Sequence, residues 1–282
     1  MNADTNTDTV LVLGATGKTG RRIVTRLRLR GVTVRPASRS AETPFDWGDP
    51  GGWDAALDGV AAVYVVAPGV PGPVHKFVAQ ARAAGVQRLV LLSGRGADTW
   101  GDSTFGLNMR DAEDAMRASS LEWTILRPNN FAQNFDEELW HAPLLAGQLA
   151  LPAGDVPEPL IDIDDVADVA ATILTEPGRH AGRIYELSGP RAITFGEAVE
   201  MISRASGLPI TYAQISAGAY ADSLIEAGVP ADDARDIAEM FAIMSRGLLA
   251  DTTDGVATVL GRAPRTFEDY VARTAAAGAW SR

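Results

Sequence analysis

The sequence predicts a doubly wound, parallel α/β sheet with a small C-terminal α/β lobe, and three observations carry that expectation. The apolar run Val10-Leu11-Val12-Leu13 feeds into glycines at 14, 17 and 20 and then into the basic amphipathic stretch Arg21 to Arg30, the order strand, tight turn, helix. Apolar runs then alternate with helix-like stretches through Leu126. Right-handed crossovers turn such a rhythm into a parallel sheet with its ligand at the carboxyl edge. Beyond about residue 155 the alternation loosens, so 9–155 is expected to form a Rossmann-like unit to which later segments return, and 156–282 mainly the lobe.

Composition narrows the function. With 282 residues and 46% hydrophobic content the chain can bury a sizeable core. A formal charge of −11 argues against nucleic acid as a partner, because phosphate binding needs a basic face. Cysteine is absent and His75, His141 and His180 are scattered, so thiol chemistry is excluded and a metal site is not expected. No run of about eighteen apolar residues suggests a membrane span. The polar stretch 1–8 reads as a disordered lead-in, and a cytoplasmic location is expected.

In the turn itself, Gly14-Ala15-Thr16-Gly17-Lys18-Thr19-Gly20, the first glycine reverses the backbone, the second lets a pyrophosphate approach the amides, and the third lets helix pack close to strand. The phosphates would then meet free N–H groups and the positive end of a helix dipole. The second strand, 32–37, ends in Ser38-Arg39-Ser40. An NAD-binding site of this kind carries an acidic residue about twenty residues beyond the glycines, accepting from the ribose 2′-hydroxyl. Arg39 instead suits a 2′-phosphate, which a guanidinium grips bidentately, so NADP(H) is favoured, with Lys18 read as a second cation of the same sign.

Phe45-Asp46-Trp47 is expected as a brief third strand, with Asp46 either accepting from the adenine amino group or capping a turn. Asp49 and Pro50 open a helix at 51–57. The run 60–67 has the continuous apolar character of a strand buried on both faces, and it ends in Ala67-Pro68-Gly69, a slim loop that lets the nucleotide lie against backbone. Helix 74–84, strand 89–92 ending at Ser93, helix 107–119 and strand 121–126 follow, and the last ends in Arg127-Pro128-Asn129-Asn130-Phe131. In the second half the pattern predicts a strand at 160–163, a helix 166–174 capped by Asp164-Asp165, and a strand at 183–187. It continues with a helix from the Thr194/Glu197 capping box to Ala205, a strand at 210–215, and helices at 217–227, 231–247 and 266–276.

The glycine turn, Ser38-Arg39, Phe45-Asp46-Trp47, Leu126-Arg127-Pro128-Asn129-Asn130-Phe131, Phe135, Ile161 to Ala167 and Pro264-Arg265-Thr266-Phe267 together resemble the NmrA-like, atypical branch of the short-chain dehydrogenase/reductases over essentially the whole length. The resemblance implies an NADP(H) site and either a reductase of quinones, azo dyes or iminium ions, or a sensor that binds the dinucleotide without turning it over. It further implies that the backbone at Pro128 and Asn129 holds the nicotinamide carboxamide. Asn130, Phe131, Phe135 and Trp140 would border a small-molecule substrate, with Trp100 and Phe105 facing them. The same aromatics could equally be core or interface residues. His141 is a candidate proton donor at the pocket edge, against the alternative of an ordinary loop histidine. A homo-oligomer or a protein partner is also expected.

One departure constrains the chemistry. Ser93 fits the superfamily's strand-end serine, but counting back from Glu113, the resemblance assigns the Tyr-x-x-x-Lys pair to positions 105 and 109, which hold Phe105 and Met109. Neither can give up a proton or act as an ammonium. Ketone reduction produces an alkoxide that needs such a donor, whereas an iminium ion accepts hydride to become a neutral amine and a quinone becomes only a weakly basic phenolate. The expectation is therefore an NADPH-dependent reductase of an iminium-, quinone- or enone-like compound, with a non-catalytic NADP(H) sensor as the alternative.

Overall fold

A computed structural model describes residues 9–281; the expected lead-in at 1–8 lies outside them. The chain runs β1 (Thr9–Leu13), α1 (Lys18–Leu29), β2 (Val34–Ser38), β3 (Thr43–Pro44), a single 3-10 turn and α2 (Trp53–Leu57), β4 (Val60–Val66), α3 (Pro73–Ala83), β5 (Arg88–Leu92), α4 (Thr104–Arg117) and β6 (Glu122–Pro128). It continues through α5 (Asn134–Glu137), α6 (His141–Ala146), β7 (Gln148–Leu151), α7 (Ile163–Thr175), β8 (Arg183–Leu187), α8 (Phe195–Ser206) and β9 (Thr211–Gln214). Helices α9 (Ala217–Glu226), α10 (Ala231–Met244), α11 (Gly255–Leu260) and α12 (Phe267–Ala276) complete it.

Seven strands form one sheet in the order β3-β2-β1-β4-β5-β6-β8, every neighbour parallel, which is the Rossmann-like architecture expected. The strand order reverses between β1 and β4, the place where such sheets open a crevice at their carboxyl ends. The period-2 alternation of a strand distributes each apolar run to both faces. Val10, Val12, Tyr64, Val90 and Leu126 pack under α1, α7 and α11, while Leu11, Leu13, Val63, Val65, Leu89, Leu91 and Ile125 pack under α2, α3 and α4. A third core, built around Phe135, Trp140, Phe195, Phe241 and Trp280, fills the lobe, whose own sheet is the parallel pair β7-β9.

Several elements differ from expectation. The third strand is Thr43–Pro44, not 45–47: Phe45 and Trp47 turn away to pack with Trp53 and Phe77, Phe45 stacked on Trp53 and the other pairs edge-on, ring centroids 5.1 to 6.0 Å apart. The segment 160–163 makes only a bridge, Phe131 to Ile161, because Asp162 Oδ1 accepts from Asp164 N (2.9 Å) and starts α7 there. The cap is thus Asp162, and Asp164 and Asp165 sit in the first turn, ion-paired with arginines. Helix α4 begins at Thr104 because Ser103 caps it, its Oγ accepting from Gly106 N at 3.2 Å. Helices α5, α6 and α11 and strand β7 have no counterpart in the sequence reading.

Candidate active site

The glycine turn fits a dinucleotide. Gly14 has φ +65, a conformation that disfavours a side chain, and a Cβ on Gly20 would lie 2.2 Å from Gly14 O. Nothing larger than glycine lets α1 come so close to β1. Gly17 caps α1 without any side-chain hydrogen bond, so the first-turn amides around Lys18, Thr19 and Gly20 stay available to an anion. Ala15 N donates to Ala37 O (3.1 Å), tying the turn to the end of β2. Thr16 is exposed beside it.

Ser38 and Arg39 follow directly. Arg39 is exposed and makes no ion pair or hydrogen bond among the described residues, while Ser38 Oγ accepts from Ser40 N (3.2 Å) and shapes the bend. Asp46 is a turn residue: its Oδ1 accepts from Gly48 N at 2.8 Å. Trp47 donates its Nε1–H to Val66 O (3.1 Å), bracing the loop against β4. Lys18 does not join Arg39. Its Nζ crosses to the lobe side, where it donates to Asn134 Oδ1, pairs with Glu138 Oε2 at 2.9 Å and lies 5.8 Å from the Phe131 ring centre. The reading of Lys18 as a second 2′-phosphate cation is corrected accordingly: the lobe carries acceptors that draw the ammonium away.

Past the turn, a cleft of about 780 Å³ runs along the ends of β4, β5 and β6 to α10. Ala67, Pro68 and Gly69 form one wall, Ser93, Gly94 and Pro128 the floor, and Trp100, Phe105 and Met109 the wall opposite. Asn129, Asn130 and Phe131 close the inner end, and Ile237 and Met240 of α10 make the roof. Thr104 Oγ1 donates to Asp236 Oδ1 (3.1 Å), fastening α4 to that roof. Phe105 and Met109 thus face the cleft, and Trp100 packs against Phe105 at 6.2 Å.

Ser93 lines the floor but its proton is committed. Its Oγ–H donates to Glu113 Oε1 at 2.7 Å, and Glu113 is fully enclosed under Arg127 and Arg117. Its hydrogen bond with Glu113 and the added attraction of Asp98 hold Arg127 firmly in its charged form. Ser93 therefore offers lone pairs to the cleft, not a proton.

The inner end holds residues the sequence reading missed. Buried Arg95 donates from Nη1 to Asn129 Oδ1 (2.9 Å) and to the carbonyls of Leu249 (3.1 Å) and Asp251, clamping the β6 loop to the segment between α10 and α11. Glu158, 4% exposed, accepts at Oε1 from Asn129 Nδ2 (3.1 Å), Asn130 N (3.3 Å) and Asn130 Nδ2 (3.1 Å). Nothing in the loop sequence Val156-Pro157-Glu158-Pro159 marks that carboxyl.

Three expected site residues are elsewhere. Phe135 and Trp140, 0% and 3% exposed, pack edge-on at 4.8 Å inside the lobe core with Phe195 and do not line the cleft. Their rings satisfy the demand for apolar volume beneath α8 and α10. His141 is likewise outside the cleft, its Nε2 bonded with Ala279 O at 2.8 Å.

A parallel sheet with its order reversing at β1 and β4, a glycine turn that admits no side chain and a cleft at the carboxyl edge define a dinucleotide-binding protein of the Rossmann class. The chain belongs to the NAD(P)H-binding family, whose model matches residues 14–177, and this bears out the resemblance read from the motifs. It is 34% identical to (4-alkanoyl-5-oxo-2,5-dihydrofuran-3-yl)methyl phosphate reductase of Streptomyces griseus, across 95% of this chain and 98% of the relative. It is 30% identical to NAD(P)H azoreductase of Xenophilus azovorans, over 95% of this chain and 98% of that one. An NADPH-dependent quinone oxidoreductase from Escherichia coli superposes with a TM-score of 0.75 at 25% identity, covering 94% of this chain and 98% of its own.

Proposed function

We propose that the protein is an NADPH-dependent reductase that passes hydride to a small iminium-, quinone- or enone-like acceptor. The observation that carries this reading is the cleft wall itself. Phe105 and Met109 occupy it at the positions where the resemblance puts the tyrosine and lysine, and the Ser93 proton is held by Glu113. No side chain at those β5 and α4 positions can protonate an alkoxide, which favours acceptors whose reduced form is less basic than an alkoxide.

Bound NADPH would supply the hydride. The residues of this chain hold and orient: the α1 amides take the pyrophosphate, Arg39 the 2′-phosphate, the backbone at Pro128 and Asn129 the carboxamide, and Trp100, Phe105, Phe131 and Met240 the flat acceptor. The names of the relatives, an azoreductase, a quinone oxidoreductase and a reductase of an unsaturated lactone phosphate, support this acceptor range. A second reading, a sensor that binds NADP(H) and engages a protein partner without turnover, draws on the same missing pair. Incubation with NADPH and a panel of quinones, enones and cyclic iminium ions, followed by loss of NADPH absorbance, separates them. Turnover of any acceptor supports the reductase; tight NADPH binding with no turnover on the whole panel supports the sensor.

A further inference from the structure

The inner end of the cleft contains an acid that the scheme above leaves unused. Glu158 sits on the loop before α7, pinned by its backbone: Glu158 N donates to Ile193 O and Ile193 N to Glu158 O, at 2.8 and 3.0 Å. That pairing drives the side chain inward against Asn129 and Asn130. All three of the hydrogen bonds it receives converge on Oε1. Oε2 accepts none among the described residues, yet it is not sealed in, since among those residues the enclosed side-chain polar atoms without a partner are Tyr64 Oη, Gln80 Oε1, Trp100 Nε1, Ser119 Oγ and Trp140 Nε1. Glu158 lines the cleft, so Oε2 is the carboxyl oxygen open to it.

We propose that Glu158 is the internal proton donor for acceptors that need one, its Oε2 hydroxyl standing in for the missing tyrosine; this rests on the reductase reading. Hydride brings two electrons to the acceptor and leaves NADP+ behind. A quinone or enone then carries one negative charge: the Oε2–H bond of Glu158 breaks, an O–H or C–H bond forms on the acceptor, and the carboxylate regains its proton from water. An iminium ion becomes a neutral amine on taking hydride and needs no proton.

The surroundings shift the carboxyl toward its acid form. Burial pushes the Glu158 carboxyl above the usual carboxylate range, and the donors at Oε1 together with the charge of Arg95 oppose that shift without cancelling it. Lys18 and Glu138 on one side and Asp233 and Asp236 of α10 on the other are the remaining charged groups of the cleft. The asparagine clamp also fixes which oxygen is free: Asn129 and Asn130 donate to Oε1, which leaves the proton to Oε2.

Glu158→Gln preserves an oxygen for the asparagine clamp but has no proton to give. Infrared difference spectra of cofactor-free wild type against Glu158→Gln at pH 7 should show a protonated-carboxyl band that shifts in D2O and fades at alkaline pH. With NADPH, the variant should lose roughly 10²-fold or more in quinone and enone turnover while iminium turnover stays within about threefold, the scale of one general acid. NADPH affinity, measured by cofactor fluorescence, should be unchanged. Absence of the carboxyl band, equal losses for all three acceptor classes, or no loss for quinones and enones would each overturn the proposal while leaving the reductase reading standing. A wild type that reduces nothing on the panel overturns both readings, and one that reduces only iminium ions overturns the role of Glu158 while leaving the reductase reading standing.

Discussion

Arg127 grips Glu113 at two points, Nε to Oε1 and Nη2 to Oε2, both at 2.8 Å, beneath the floor of the cleft. Glu113 is wholly enclosed, and Arg117 adds a bond to Oε2 at 2.7 Å. Removing the carboxylate would leave Arg127 with only the half-exposed carboxylates of Asp98 at 3.0 Å and Glu186 at 3.9 Å, so Glu113→Ala should cost about 3–5 kcal/mol in urea unfolding. Ser93→Ala deletes only one neutral donor from that carboxylate. It should cost about 1 kcal/mol and leave acceptor turnover almost unchanged, in contrast to a serine that itself donates a proton.

Arg39 is the one residue assigned to cofactor choice. Arg39→Ala should weaken NADPH by roughly 1.5–3 kcal/mol, the scale of charge-assisted hydrogen bonds, with little effect on NADH. Calorimetric titration with both cofactors checks this, and equal losses would place the 2′-phosphate elsewhere.

The 2.2 Å approach that a Cβ on Gly20 would make is to backbone, not to a flexible side chain. Gly20→Ala must therefore push α1 off β1, at about 1–3 kcal/mol of strain, and should weaken both cofactors together. Thermal unfolding and the same titrations report the two effects.

Along α1, Glu137 is paired with Arg21 and Arg22, and Asp168 with Arg26 and Arg265. Burial alone would raise both carboxyls, but the arginines outweigh it and hold both below their ordinary values. A depressed carboxyl contributes stability above its unfolded value, about 4, and loses it as pH falls through the folded one. Tm should hold from pH 7 to about 4 and then drop, and Glu137→Gln should flatten that drop.

Trp140→Ala tests the placement of this ring in the lobe core. Emptying a core site next to Phe135 and Phe195 should cost about 3–5 kcal/mol, and the KM for the acceptor should stay close to the wild-type value because the ring does not reach the cleft.

The sheet was legible because strands buried on both faces leave unbroken apolar runs such as Val10 to Leu13, and because a glycine turn has few sterically allowed substitutes. The direction of Lys18 was not, since a motif states where a side chain starts and not which acceptors a distant helix will offer it. Phe135 and Trp140 stayed open between core and ligand wall for a related reason: the same aromatic surface serves either, and only the packing of α8 and α10 decides. Glu158 left no trace, because its meaning depends on a backbone bridge to Ile193, thirty-five residues on by the numbering. Where α10 lies relative to α4, and hence the roof, is likewise a fact of tertiary contact.

The chain's path between sheet and lobe carries a consequence for how such a protein can diversify. It leaves the main sheet after β6, builds β7, returns for α7 and β8, departs again for α8 to α10, and comes back for α11 before ending in α12. The lobe is stitched to its base by repeated crossings, so it cannot be exchanged as a cassette. Changes in acceptor preference are then expected from point changes on surfaces already facing the cleft, such as Ile237 and Met240 of the roof, which carry no part of the sheet.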